Sequence, residues 1–131
     1  MRFMLVFIMP EDTWVEKDIV RRVVQWKLDK GREGVFLGGN PLKPAAMTQT
    51  VRRNEAGGMD VVDGPVHDHG DVLYAYEILR ANSISEAIDL AKQHPAADIP
   101  GAQIEVREIW DSLDEDTIGP EYQDIAPEGT Q

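Results

Sequence analysis

Apolar residues recur along this chain with two different periods, and the switches between them outline the elements. Phe3 to Ile8 is a continuous apolar run of strand length closed by Pro10, the pattern of a central strand buried on both faces. Ile19, Val20, Val23, Val24 and Leu28 then follow at helical spacing. Thr13 and Glu16 form a capping box ahead of them, Lys27 and Lys30 fall in the last turn, and Gly31 supplies a stop. The β-branched stripe has modest helix propensity, so this helix is expected to depend on packing against a sheet.

Val35-Phe36-Leu37 predicts a second strand that breaks at Gly38-Gly39, where the backbone turns sharply or approaches something closely. Thr48 to Arg53 alternates and pairs in prospect with Met59 to Val62 across Glu55-Ala56-Gly57-Gly58, a loop of hairpin length. Leu73 to Arg80 is the strongest strand by composition. Ser83 and Glu86 make a second capping box, opening a helix through about Gln93 with Ile84, Ala87, Ile88 and Ala91 inward and Pro95 beyond its end. Gln103 to Ile109 alternates strictly, as a strand wet on one face at a sheet edge does.

Strand, helix, strand, hairpin, strand, helix, strand predicts an α+β fold on a ferredoxin-like split βαβ plan. Both helices would cover one face of a mainly antiparallel sheet. The other face would be left apolar, and a sheet so exposed is expected to find a second copy, making a homodimer.

Composition adds bounds rather than elements. The length of 131 residues suits one domain, expected over residues 1–110. The formal charge of −11 is concentrated at the end: residues 111–131 carry seven acids and no Lys or Arg, and read as an acidic C-terminal tail or dimer arm. An acidic chain without a basic face is not a nucleic-acid binder held by phosphates. Cysteine is absent, which excludes disulfides, thiolate metal sites and a cysteine nucleophile. The N-terminal apolar run is too short for a membrane span and lacks a cleavage signal, so no membrane association and a cytoplasmic location are expected.

Candidate chemistry concentrates in Asp63-Gly64-Pro65-Val66-His67-Asp68-His69-Gly70-Asp71. Asp63-Gly64-Pro65 suits a turn in which the Asp carboxylate accepts backbone N–H groups. His67, Asp68, His69 and Asp63 supply what proton transfer needs, because imidazole titrates near neutrality and a carboxylate can orient it. In an extended segment the two histidines share one side and Asp68 takes the other. The same residues suit a plain solvated loop. They also suit a zinc or iron site, although spacing identifies no third ligand. His94, before Pro95, reads as a cationic cap at a helix C-terminus. Trp14, Trp26 and Trp110 read as core or interface. Gly38-Gly39 lacks the flanking pattern of a nucleotide-phosphate loop.

Several of these segments together resemble the YCII-related family, also called DGPF-domain proteins, of the dimeric α/β-barrel superfamily. The carriers are Arg2-Phe3-Met4-Leu5, Leu37-Gly38-Gly39 with Leu42 and Pro44, Thr48-Gln49-Thr50-Val51-Arg52, Asp63-Gly64-Pro65, Tyr76, and Ser83-Ile84-Ser85-Glu86-Ala87 leading to His94-Pro95-Ala96-Ala97. The resemblance spans residues 2 to 109. It implies two sheets face to face in a homodimer and a cleft between sheet and helices in each subunit. Where the family's motif continues with Phe, Ala and Glu, this chain has Val66, His67 and Asp68, and its usual Gly-Gly is Tyr74-Ala75. Relatives with proposed acid-base activity place a histidine on the first helix, where this chain has Arg22 nearby. Tyr74, Arg22 and Arg52 are accordingly the candidate substrate contacts. The expected function is that of a homodimeric enzyme acting on a small-molecule ligand by proton transfer, such as isomerisation, elimination or cyclisation, with no cofactor. A non-catalytic binding or accessory module is the alternative.

Overall fold

The computed structural model describes residues 1–66 and 70–111. Six strands and two helices follow in the order β1 (Arg2–Pro10), α1 (Lys17–Arg32), β2 (Phe36–Pro41), β3 (Gln49–Arg53), β4 (Met59–Asp63), β5 (Asp71–Arg80), α2 (Ile84–Gln93) and β6 (Gln103–Ile109). Four strands form one antiparallel sheet in the order β2-β5-β1-β6, and β3 with β4 forms a separate hairpin. This α+β arrangement is compatible with a ferredoxin-like plan.

β1 holds the sheet centre, paired with β5 on one side and β6 on the other. Its burial alternates rather than covering both faces. Phe3, Leu5, Phe7 and Met9 are fully enclosed, whereas Met4, Val6 and Ile8 are only half-buried. The enclosed set joins Trp26 of α1 and Ala87, Leu90 and Ala91 of α2 in one core, so both helices cover the same face. The opposite face is apolar at its middle, where Met4 pairs with Ile78, Val6 with Tyr76 and Ile8 with Leu73. It turns polar along β6, through Gln103, Glu105 and Arg107.

Both ends of α1 differ from the sequence expectation. Thr13 donates its hydroxyl to the Pro10 carbonyl at 2.6 Å and its N–H to the same oxygen at 3.0 Å. It is thereby tied to the end of β1 and does not cap; the helix starts at Lys17 with no side-chain cap. Gly31 lies inside the helix. The left-handed residue that ends it is Gly34 (φ +75°), with Val35 N–H donating to Lys30 O at 2.8 Å and Gly34 N–H to Gly31 O at 3.1 Å, a Schellman closure.

The second capping box forms as expected, with Ser83 Oγ accepting from Glu86 N–H at 3.1 Å and the Glu86 carboxylate accepting from Asn82 N–H at 3.1 Å. The inward face of α2 is Ala87, Leu90 and Ala91, while Ile84 and Ile88 are exposed. β2 does not break at its glycines but runs through them to Pro41, with a register irregularity between Phe36 and Gly38. The 3-10 turn Pro95–Asp98 follows α2 directly. No described helix is long and apolar enough to cross a membrane.

Candidate functional site

The apolar stripe of α1 is not sealed against the sheet. Trp26 is the only buried residue of this helix, and Val20, Val24 and Leu28 are about half exposed. Between helix and sheet lies a cavity of about 210 Å³. Ile19, Val20, Val23 and Val24 of α1 form one wall, Phe7 and Met9 of β1 and Tyr74 and Ala75 of β5 another, and Ala96 and Ile99 of the 3-10 segment a third. A stripe that reads as core packing is therefore the lining of a cavity. For scale, an engineered apolar cavity of roughly 150 Å³ takes up benzene.

Into this apolar wall the fold sets two polar side chains that are almost wholly buried, Glu77 at 3% exposure and His94 at 2%. Strand register accounts for Glu77: it pairs with Leu5 of β1, on the same face as Phe3 opposite Leu79, so its side chain must enter the helix-covered layer. His94 sits at the junction of α2 and the 3-10 turn, packed between Phe7 (centroids 4.6 Å apart) and Trp26 (5.0 Å).

The hydrogen bonds fix the histidine's tautomer. Ala96 N–H donates to His94 Nδ1 at 3.0 Å, so the ring proton of the neutral imidazole lies on Nε2, which donates to Glu77 Oε2 at 2.8 Å. His94 therefore caps the 3-10 turn that follows it, as a neutral acceptor, and is not the cation at a helix C-terminus expected from its position. Among the described residues Glu77 Oε1 has no hydrogen-bond partner, and neither does Trp26 Nε1. A buried acceptor without a donor costs roughly 1–3 kcal/mol, more when charged, and a catalytic role is one of the specific causes for which natural folds hold such groups.

No family model matches the chain, and a search of curated proteins finds no match either.

The residues singled out from sequence are dispersed. His67, Asp68 and His69 lie outside the described residues. Asp63, at the exposed end of β4, accepts from Gln49 Nε2 at 2.6 Å and from no backbone N–H group among the described residues. The turn after it is held instead by Gly64 N–H to Thr48 O at 2.8 Å and Thr50 Oγ1 to Gly64 O at 2.7 Å. Arg22 pairs on the surface with Asp98 at 2.7 Å, and Arg52 is exposed on β3. Among the described ones, Tyr74 alone lines the cavity with Glu77 and His94. Trp26 is core, whereas Trp14 is exposed. Among the described residues no group of three His, Cys, Asp or Glu stands close enough together to hold a metal ion.

Lys27 and Asn40 complete the polar part of the lining. The Lys27 ammonium donates to Gly39 O at 3.2 Å and lies 5.6 Å from the centre of the Phe36 ring, so it is held at the β2 side and makes no ion pair with Glu77. The arrangement is one buried carboxylate in the wall of an apolar cavity, fixed by a histidine through Oε2 and with Oε1 unpartnered among the described residues. It can accept a proton from a bound molecule while Oε2 stays anchored.

Proposed function

We propose that this protein is a small-molecule enzyme of YCII-like type, doing proton-transfer chemistry without a cofactor, with Glu77 as the proton acceptor and His94 as its positioning residue. The observation that carries the reading is the unpartnered, buried Glu77 oxygen beside an apolar cavity. In an isomerisation Glu77 Oε1 takes a proton from one atom of the substrate and returns it to another, so the enzyme ends unchanged. Elimination and cyclisation begin with the same abstraction. Tyr74 is the nearest aromatic wall for the substrate in this scheme. His67, Asp68, His69, Asp63, Arg22 and Arg52 stay candidates of second rank, since none of those described lines the cavity.

The test is deuterium incorporation. Small neutral hydroxyketones are incubated with the protein in D₂O, and C–H exchange is followed by NMR. Glu77→Gln should slow any protein-dependent exchange about 10²–10⁴-fold with the circular dichroism spectrum unchanged. Exchange that survives this substitution rules Glu77 out as the base. A binding module without turnover is the second reading, favoured by the almost wholly apolar wall, and it is the outcome if ligands bind and no exchange occurs.

The same proposal includes a homodimer closed through the open sheet face, as in a dimeric α/β barrel. Its support is the apolar centre formed by Met4, Val6, Ile8, Leu73 and Ile78. Light scattering should give twice the chain mass of 14.7 kDa, and Val6→Asp should halve it. A monomeric unmodified protein at micromolar concentration would refute this part. The cytoplasmic location belongs to the proposal as well.

A further inference from the structure

We infer that the cavity takes a small, neutral, mainly apolar molecule that presents one O–H or N–H donor to Glu77 Oε1 and carries no carboxylate. This names the ligand class of the site just proposed and rests on that reading. Three observations lead to it.

The first is the fixed direction of the hydrogen-bond chain. Ala96 N–H occupies His94 Nδ1, His94 Nε2–H is committed to Glu77 Oε2, and the chain ends at Oε1 with lone pairs and no donor among the described residues. Only a donor completes it. In turnover the same lone pairs receive the substrate's acidic proton, so a donor is the ground-state counterpart of that event.

The second is the composition of the wall. Val15, Ile19, Val20, Val23, Val24 and Ile99 offer no side-chain donor or acceptor, so the part of the ligand held here is apolar, and a volume of about 210 Å³ accommodates a single small ring or a short branched chain. The third is charge. Lys27, the one cation of the lining among the described residues, is held by the Gly39 carbonyl and the Phe36 ring. A ligand carboxylate seated at Glu77 Oε1 would meet a like charge at contact distance, while the Lys27 ammonium stays tethered to the Gly39 carbonyl, so a neutral donor is preferred there.

Cyclohexanol, cyclohexanone and cyclohexanecarboxylate share one skeleton and differ in the group offered: donor, acceptor only, and anion. Each is titrated into the full 131-residue chain by ¹H–¹⁵N spectra. The alcohol should bind about tenfold more tightly than the ketone, with the carboxylate weaker than either. Val23→Trp, which fills the cavity, should abolish binding of the alcohol and so locate it.

Glu77→Gln supplies a sharper result. His94 Nε2–H still requires an oxygen, so the glutamine carbonyl takes that place and its NH₂ faces the cavity, turning an acceptor into a donor. The alcohol-to-ketone preference should then fall to one or below. The inference is overturned if the carboxylate binds as tightly as the alcohol, if alcohol and ketone bind equally, if Glu77→Gln leaves the preference intact, or if none of the three binds. The ranking in the unmodified protein is a complete test even where Glu77→Gln does not fold. The predicted ranking without deuterium exchange would defeat the catalytic reading alone. Exchange with the ranking reversed would defeat the ligand class alone.

Discussion

Replacing His94 by alanine is expected to cost roughly 3–5 kcal/mol of folding stability, read from urea unfolding at 25 °C. Three losses combine in that figure. The ring packed between Phe7 and Trp26 is removed and leaves a void in the core. Glu77 Oε2 loses its only donor among the described residues, which then leave both oxygens of a buried carboxyl group unpaired. Ala96 N–H loses the acceptor that opens the 3-10 turn. His94→Phe separates these contributions: it keeps an aromatic ring in the packed position and removes only the hydrogen bonds, so it should fall between alanine and the unmodified protein. Glu77→Gln, which still offers an oxygen to Nε2–H, should cost no more than about 1 kcal/mol. A cost below about 1 kcal/mol for His94→Ala would mean that water reaches the pair and that the cavity floor is not dry.

The same pair shows where sequence reading stops. Period and caps located every strand and both helices, because these depend on neighbours a few residues away: the Ser83 and Glu86 box, the hairpin between Thr48 and Val62, and the edge alternation of β6 all formed in place. Local signals failed where a distant partner competes. Thr13 suits a cap, yet the Pro10 carbonyl holds it, and Gly31 suits a stop, yet the left-handed position falls on Gly34.

The candidate site was legible only in part. The chemistry-bearing residues that cluster in sequence are those from Asp63 to Asp71, whereas Glu77 and His94 are seventeen residues apart and join only through the packing of β5 against the turn after α2. One signal was present. Glu77 falls in step with Leu79 on the inward face of an otherwise apolar strand, and a charged side chain at such a position needs a partner or a use. The cavity itself had no sequence signature, since Ile19, Val20, Val23 and Val24 write the same pattern whether they seal a core or line a space.

Alanine at Gly39 is expected to be as damaging as the loss of His94, although it adds a single methyl group. Gly39 lies at φ +133°, outside the range of ordinary residues, and a Cβ there would overlap the Tyr76 carbonyl oxygen and stand 2.6 Å from Glu77 Cα. These obstacles are backbone of the neighbouring strand, which cannot swing aside as a side chain can. Strain and overlap together should cost roughly 3–5 kcal/mol. Gly38, one residue earlier in the same strand, has ordinary backbone geometry and open space around its Cα. Gly38→Ala should therefore stay within about 0.5 kcal/mol of the unmodified protein, and the pair controls for any general effect of alanine in β2. Gly39 is also the register partner of Glu77, and its carbonyl holds the Lys27 ammonium. Moving β2 away from β5 disturbs the strand that carries the carboxylate and releases the cation beside the cavity. Any residual folded Gly39→Ala protein should thus have lost the preference for a neutral donor over a carboxylate. Equal stabilities for the two alanine variants would show that β2 does not approach β5 as closely as the site requires.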